Sequence, residues 1–451
     1  MKKIILLLFL LIPHIVFADN NYFGTKMVST NVNENNMEYE SKMGGKNVLV
    51  ISSGTSNFNN CTFNKSGDST YSEANVYGTN AAIIVYDGTL NLDNGKISSD
   101  GKNASGIFAY ESGNIKINNV TIDTLNDNSS GIVSSQGGNI EANNLTVKTN
   151  GIDSSAINSS GDNSKIVVNG GSYETNGKNS PIVYSSGSII INDASLSSLT
   201  SSGVNIFGNG NVTFKNVKLD DTNNMYGDNA NSYRNIFIYQ TSDIKNEVYF
   251  SSNDSSIITN NGDTFYITNS KANINLFNNV ISNNNGNFMT IRADALGTTG
   301  ENGGNVILSM NNQVIEGNFI VDSVSSLKID LKNNSNIEGS INEHNESKDI
   351  SVSISDDSSW TLTEDSYISS LNNVKEDNSN IYSNGKYRLF VSDKEVDINN
   401  SDEIKKESNK SSKENDGGNG FSLIIIFLII TLVVGIGGYS LYIKAKANNS
   451  L

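Results

Sequence analysis

The chain has 451 residues, 47 acidic against 31 basic side chains and a formal charge of −16, with 39 Gly but only 2 Pro, 2 His and 1 Cys. This composition excludes a collagen-like or Pro-rich rod, a disulfide-stapled scaffold and a zinc module built on several Cys. A surface this acidic repels phosphate, so no nucleic-acid partner is expected. At the N-terminus, Lys2 and Lys3 precede an apolar run over residues 4–17 that ends at the small Ala18. This is the layout of a secretory signal peptide over residues 1–18, cleaved before Asp19. Residues 19–45 follow as an N-terminal segment that caps whatever comes next.

From residue 46 to 371 the chain repeats itself. Ser105-Gly106-Ile107-Phe108-Ala109 recurs as Ser130-Gly131-Ile132-Val133-Ser134 and as Ser155-Ala156-Ile157-Asn158-Ser159, about 25 residues apart each time. A second alternating stretch follows each copy, around Ile115 and Ile117, then Ile140 and Ala142, then Ile166 and Val168; a third carries Val120 and Ile122, then Leu145 and Val147, then Tyr173. Apolar residues at every second position mark half-buried strands, so each unit holds three. A unit this short cannot hide its own apolar face and must stack on the next. Stacking predicts inward columns such as Leu90, Ile115, Ile140, Ile166, Ile189 and Val212, beside Leu92, Ile117, Ala142, Val168, Ile191 and Phe214. Asn94, Asn119 and Asn144 recur at the bend after the second strand, with Asn118, Asn143, Asn169 and Asn192 alongside. Asn tolerates the left-handed conformation of a tight bend, and stacked amides both donate and accept, so an asparagine ladder is expected. About 325 residues at about 25 per coil give about 13 coils, roughly 60 Å long at strand spacing.

In these columns the chain resembles the right-handed parallel β-helix proteins of the pectin-lyase-like superfamily, particularly bacterial adhesin-like and autotransporter-passenger members. The resemblance implies an all-β, right-handed, single-stranded parallel β-helix. A local resemblance, over Ser358-Ser359-Trp360-Thr361-Leu362-Thr363 with Asp365-Ser366-Tyr367, is to the late-coil segment of gut-bacterial surface β-helix proteins. There it precedes a last strand like Lys386-Tyr387-Arg388-Leu389-Phe390-Val391, and it implies that Trp360 covers the final coil. Residues 65–79 and 220–234 read as loops between coils, and residues 293–304 as a projecting Gly- and Thr-rich segment; insertions in a solenoid gather on its faces, where binding often occurs.

Residues 372–391 are expected as C-terminal cap strands, and residues 392–420, dense in Lys, Glu, Asp, Asn and Ser, as a charged flexible stalk. Residues 421–443 carry no charge, and 23 residues make about 35 Å of helix, enough to span a bilayer. Lys444 and Lys446 place the tail, residues 444–451, in the cytoplasm, so the sequence predicts a single-pass membrane protein with an extracellular N-terminal ectodomain. These ends also resemble those of bacterial wall-anchored surface proteins, but Pro13 and Pro181 are the only prolines and no sorting pentapeptide precedes the span.

Some superfamily members process acidic polysaccharides, with converging carboxylates or a calcium-assisted basic residue. Here Asp220-Asp221 and Asp356-Asp357 sit at strand ends or turns and read as solvated acids, His344 lies in a polar loop, and the outward column Ser98, Asp123, Lys148, Glu174, Ser197 and Asp220 concentrates no charge. Cys61 aligns with Val120 and Leu145 and reads as core. No catalytic residue, metal or cofactor is expected. The function expected is adhesin-like binding of a glycan or protein at the cell surface; the alternatives are a polysaccharide lyase or glycoside hydrolase of this fold, or a purely structural surface component.

Overall fold

The computed structural model describes residues 22–70, 74–223, 233–243 and 246–400. The predicted signal peptide, membrane span, tail and most of the stalk lie outside these residues. Among the described residues no helix is long and apolar enough to cross a membrane.

Residues up to 400 form a right-handed parallel β-solenoid of about 14 turns, each turn giving one strand to each of three sheets. One turn shows the logic. Ile132–Ser135 belongs to the first sheet, and Asn139–Thr149 crosses from the second sheet to the third by bending at Asn144. The expected columns stand in register: Leu90 pairs with Ile115, Ile115 with Ile140, Ile140 with Ile166, Ile166 with Ile189 and Ile189 with Val212. All are buried, because alternation turns every second side chain inward and stacking closes the faces that a single turn leaves open. Cys61 and Trp360 also lie in this core, the Trp360 Nε1–H donating to the Gly339 carbonyl at 2.9 Å.

Register continues without interruption past residue 236, where Ile274 pairs with Leu308, Leu308 with Ile329 and Ile329 with Val352. An aromatic ladder reinforces these turns. The rings of Phe214, Phe250, Phe265, Phe288 and Phe319 follow one another at centroid distances of 5.4, 5.5, 5.5 and 5.2 Å.

The bends are polar for two different reasons. At the bend between the second and third sheets, Asn94, Asn119 and Asn144 take φ of 52°, 52° and 57°, and Gly170, Asp193 and Asn216 continue the left-handed column. Side-chain amides tie successive turns: Asn143 donates to Asn118 at 2.8 Å, Asn169 to Asn143 at 2.9 Å and Asn192 to Asn169 at 2.9 Å. The bend between the third sheet and the next turn's first sheet instead holds a buried inward column of Ser41, Lys65, Ser99, Thr124, Thr149, Thr175 and Ser198, continued by buried Asp221 and Thr259 and half-buried Asn283.

Four expectations are corrected. Lys65 is in a strand, Thr62–Ser66, and points inward; its ammonium donates to the carbonyls of Met43, Ser66 and Gly67, which supplies the bonds that burial removes. Asp221 is likewise in a strand, Lys218–Asp221, and is wholly buried, not a solvated turn acid. Residues 24–41 do not form a cap laid over the first coil. They are the first coil, as Gly24–Val28, Val32–Asn35 and Glu38–Ser41. Its partly buried side chains close the end themselves: Lys26 Nζ meets Glu34 Oε1 at 2.6 Å and the Tyr39 hydroxyl donates to Glu34 Oε2 at 2.7 Å. Inward charges at a sheet edge discourage pairing with another chain. Finally, the segment expected to start the stalk at Ser392 begins folded, since Lys394–Val396 pairs antiparallel with Leu389–Val391 and the Asn399 N–H donates to Ile381.

Candidate functional site

The strand Arg234–Tyr239 returns to the first sheet after the insertion that follows Asp221. Alternation buries Ile236 and Ile238 in the core and turns Phe237 and Tyr239 to the outer face. The register sets Phe237 between Asn205 and Tyr266, and Tyr239 beside Phe207. A strip of rings results: Phe237 stacks on Tyr239 at 4.2 Å and 11°, Phe207 lies 5.5 Å from Tyr239, and Tyr266 meets Phe237 edge-on at 5.9 Å.

Arg234 lies across this strip, its Cζ 3.6 Å from the Phe237 centroid and 4.9 Å from that of Tyr266. Guanidinium over aromatic faces is a favourable arrangement when desolvated. No carboxylate among the described residues comes within ion-pair distance of it. The nearby Asp294 accepts from the Tyr266 hydroxyl at 3.2 Å and from the Ala295 N–H at 2.6 Å. Exposed Arg292 stands close enough to act on Tyr266 and Asp263, so two of the chain's three arginines gather at this place on an acidic protein.

Between these groups lies a cavity of about 360 Å³. Asn223 and Arg234 line it from the first insertion, Asp294, Ala295 and Leu296 from the second, and Asn205, Phe237 and Tyr239 form its floor. Thus two of the three segments read as insertions converge on one groove. The second is held in place by Asn302, which donates to the carbonyls of Asp294 and Leu296, and by Asp243, which accepts from the N–H and hydroxyl of Thr298 at 2.9 Å each.

The groove sets neutral phenol and amide groups around the Arg234 cation, with the carboxyl of Asp294 also in its lining. Burial, then Asp294, pushes the Tyr266 phenol up to about 12, and burial also raises Tyr239 and Tyr184. Burial lowers Arg234 from its ordinary value, but a guanidinium stays charged in a protein. Ser202 donates to the Asn205 side-chain oxygen at 2.6 Å, leaving the Asn205 amide N–H groups for another acceptor. Phe237 and Tyr266 are themselves buried, so it is the half-buried rings of Phe207 and Tyr239 that can stack a flat ring face while neighbouring donors hydrogen-bond its edge.

The acids singled out from the sequence do not meet here. Asp220 faces outward and accepts from Asn260 at 3.0 Å, whereas Asp221 faces the core, so alternation puts the pair on opposite sides of one strand. Asp356 and Asp357 are exposed in a turn, and His344 is exposed beside Glu343. The outward column Ser98, Asp123, Lys148, Glu174, Ser197 and Asp220 stands in register, with Lys148 and Glu174 paired at 2.8 Å. Among the described residues no three His, Cys, Asp or Glu side chains gather as a metal site would require. The groove residues were missed in the sequence, although Arg-Asn-Ile-Phe-Ile-Tyr announces them by placing aromatics at the outward positions of a strand.

No protein family, curated protein or solved structure matches this chain.

Proposed function

We propose that this is an adhesin-like surface protein of the pectin-lyase-like β-helix type, which binds a glycan through the groove between its two insertions and does no chemistry on it. The carrying observation is the strip of Phe207, Phe237, Tyr239 and Tyr266 crossed by Arg234 beneath Asn223 and Asp294. Its volume falls in the range of small-ligand sites, about 300–1,000 Å³. Aromatic faces suit the apolar face of a sugar ring, and the amide, phenol and guanidinium donors suit its hydroxyls. Hydrolysis would need a free carboxylate pair; Asp294 is engaged by Tyr266, and Asp263 by the Asn287 N–H at 2.9 Å. In this reading the signal peptide exports the chain, and the span over residues 421–443, with its basic tail, retains it in the membrane of a cell.

The test is a glycan and protein array probed with the detergent-solubilised full-length protein. Saturable binding to a glycan class, weakened at least tenfold by Tyr239→Ala and by Arg234→Ala, is the expected result. Absence of saturable binding to any probe would favour the structural-spacer reading. Cleavage of a uronate polymer would replace the proposal with the enzymatic one.

A further inference from the structure

The inward column at the third bend is a column of hydrogen-bond donors. Ser99, Thr124, Thr149 and Ser198 each donate to a backbone carbonyl across the bend, and Asn283 donates to the carbonyls of Gly262 and Asn287. Asp221 occupies the same column, between Ser198 and Thr259, yet a carboxylate only accepts. It is 0% exposed, and both its oxygens lack a hydrogen bond. Burial drives its carboxyl well above the ordinary value, the nearby backbone N–H of Asn223, short of full hydrogen-bond geometry, opposes this, and Asp220 is the one charged group acting on it. Residues 224–232, which follow it, contain no Lys or Arg to pair with it.

Two neighbouring amides add to the imbalance. The Asn223 Nδ2 donates to the Arg234 carbonyl at 3.0 Å, and the Asn235 Nδ2 to the Ile258 carbonyl at 3.2 Å and the Thr259 hydroxyl at 3.0 Å. Turning either amide over would set oxygen against a carbonyl, so the orientations are fixed. The Oδ1 of each is left buried and without a partner. Asn235 Oδ1 points up toward Gly203, in the turn that Asp221 ends: a Cβ on Gly203 would lie 2.4 Å from it. The local network runs one way: Asn283 and Thr259 donate to Thr264 and Asn235 donates to Thr259, which leaves four buried acceptor oxygens without a hydrogen bond, two on Asp221 and one each on Asn223 and Asn235.

A buried carboxylate needs a compensating charge. One proton would neutralise Asp221 but supply a single donor for the remaining oxygens. One monovalent cation would balance the charge and offer the carboxylate and both amide oxygens a partner, as hard cations do with oxygen ligands, whereas a divalent ion would leave a buried net positive charge. We propose that this bend binds an alkali cation, sodium or potassium, through the carboxylate of Asp221 and the amide oxygens of Asn223 and Asn235. The ion would fasten the end of the strand Lys218–Asp221 to the start of Arg234–Tyr239 and so hold Asn223 and Arg234, two walls of the groove, in place.

Thermal unfolding of the full-length protein, exchanged into choline chloride at pH 8, tests this with sodium and potassium chloride as probes at constant ionic strength. The melting temperature is expected to rise about 1–3 °C per tenfold increase in one of the alkali ions and not with choline. Asp221→Thr, which restores the column's hydroxyl, should fold and lose the response; Asn223→Ala should weaken it while leaving the column intact. Equal melting curves in choline and alkali salts would overturn the proposal. A melting temperature that then falls as pH rises would put a proton in the cation's place, and one indifferent to both would put water there.

Discussion

Phe265 is the middle rung of the aromatic ladder, wholly buried, with Phe250 on one side and Phe288 on the other, each 5.5 Å away at 74° and 60°. Replacing it by Leu keeps most of the buried volume and removes two ring pairs worth about 0.5–1.5 kcal/mol each, so Phe265→Leu should cost about 1–3 kcal/mol. Phe265→Ala also opens a cavity, and the expected cost is about 3–5 kcal/mol. Because each turn touches only its neighbours, the damage should be local. Urea unfolding gives the magnitudes, and hydrogen exchange read by mass spectrometry gives the location: protection should fall in Glu247–Asn253, Asp263–Thr268 and Met289–Ile291 and stay unchanged in Ile107–Asn118. A neutral Phe265→Leu would refute the coupling of the rings. Uniform loss of protection along the chain would refute the nearest-neighbour account. Tyr266 is the next residue and faces the groove, so Phe265→Ala should also weaken binding there without touching any residue that lines the cavity.

At the asparagine ladder, Asn144→Gly should lose only the amide bond to Asn119, about 0.5–1.5 kcal/mol, because Gly170 already occupies the equivalent place one turn on; Asn144→Ala should cost about 1–2 kcal/mol more for the left-handed backbone, measured by urea unfolding. The Tyr173 hydroxyl is buried without a partner, so Tyr173→Phe should leave stability unchanged or raise it by about 1–3 kcal/mol, and a loss would show a bond not seen here. At the N-terminal end, the bonds from Lys26 and then Tyr39 hold the Glu34 carboxyl below its ordinary value. A depressed carboxyl stabilises the fold fully above its unfolded value, about 4.3, and that contribution disappears as pH falls through the folded value. Protection of the Gly24–Val28 amides, taken relative to the intrinsic exchange rate at each pH, should therefore fall on acidification below about pH 4. The same step surviving in Glu34→Gln would exclude Glu34 as its source.

Much of this fold was legible because stacking repeats each decision. The Leu90 and Leu92 columns, the asparagine bend and the inward place of Cys61 follow from period and spacing alone. Lys65, read as the start of a loop, and Asp221, read as a solvated acid, were misplaced although the period pointed correctly: each lies two residues after an inward apolar residue, Phe63 or Leu219. The column of Ser and Thr donors is invisible in a sequence where those residues are common everywhere. The groove needed the register between turns across two insertions of unequal length, which no local pattern supplies; Tyr266 and Arg234 stand far apart in the chain and meet only because Phe237 pairs with Tyr266. The Lys26, Glu34 and Tyr39 contact was hidden for the same reason, as it closes around a whole turn.

The one antiparallel pairing in the described residues, Leu389–Val391 with Lys394–Val396, also decides how the protein bears load. Tension applied at Asn400 enters through that hairpin and through the bonds that tie residues 397–400 to residues 378–383, all at the last turn. Parallel strands stacked along one axis are then loaded in series, so force peels turns off one at a time from the C-terminal end instead of shearing many hydrogen bonds at once. A pulling trace would show small steps of one turn each, longer at the turns that carry insertions, with the groove turns surviving until the C-terminal turns have gone.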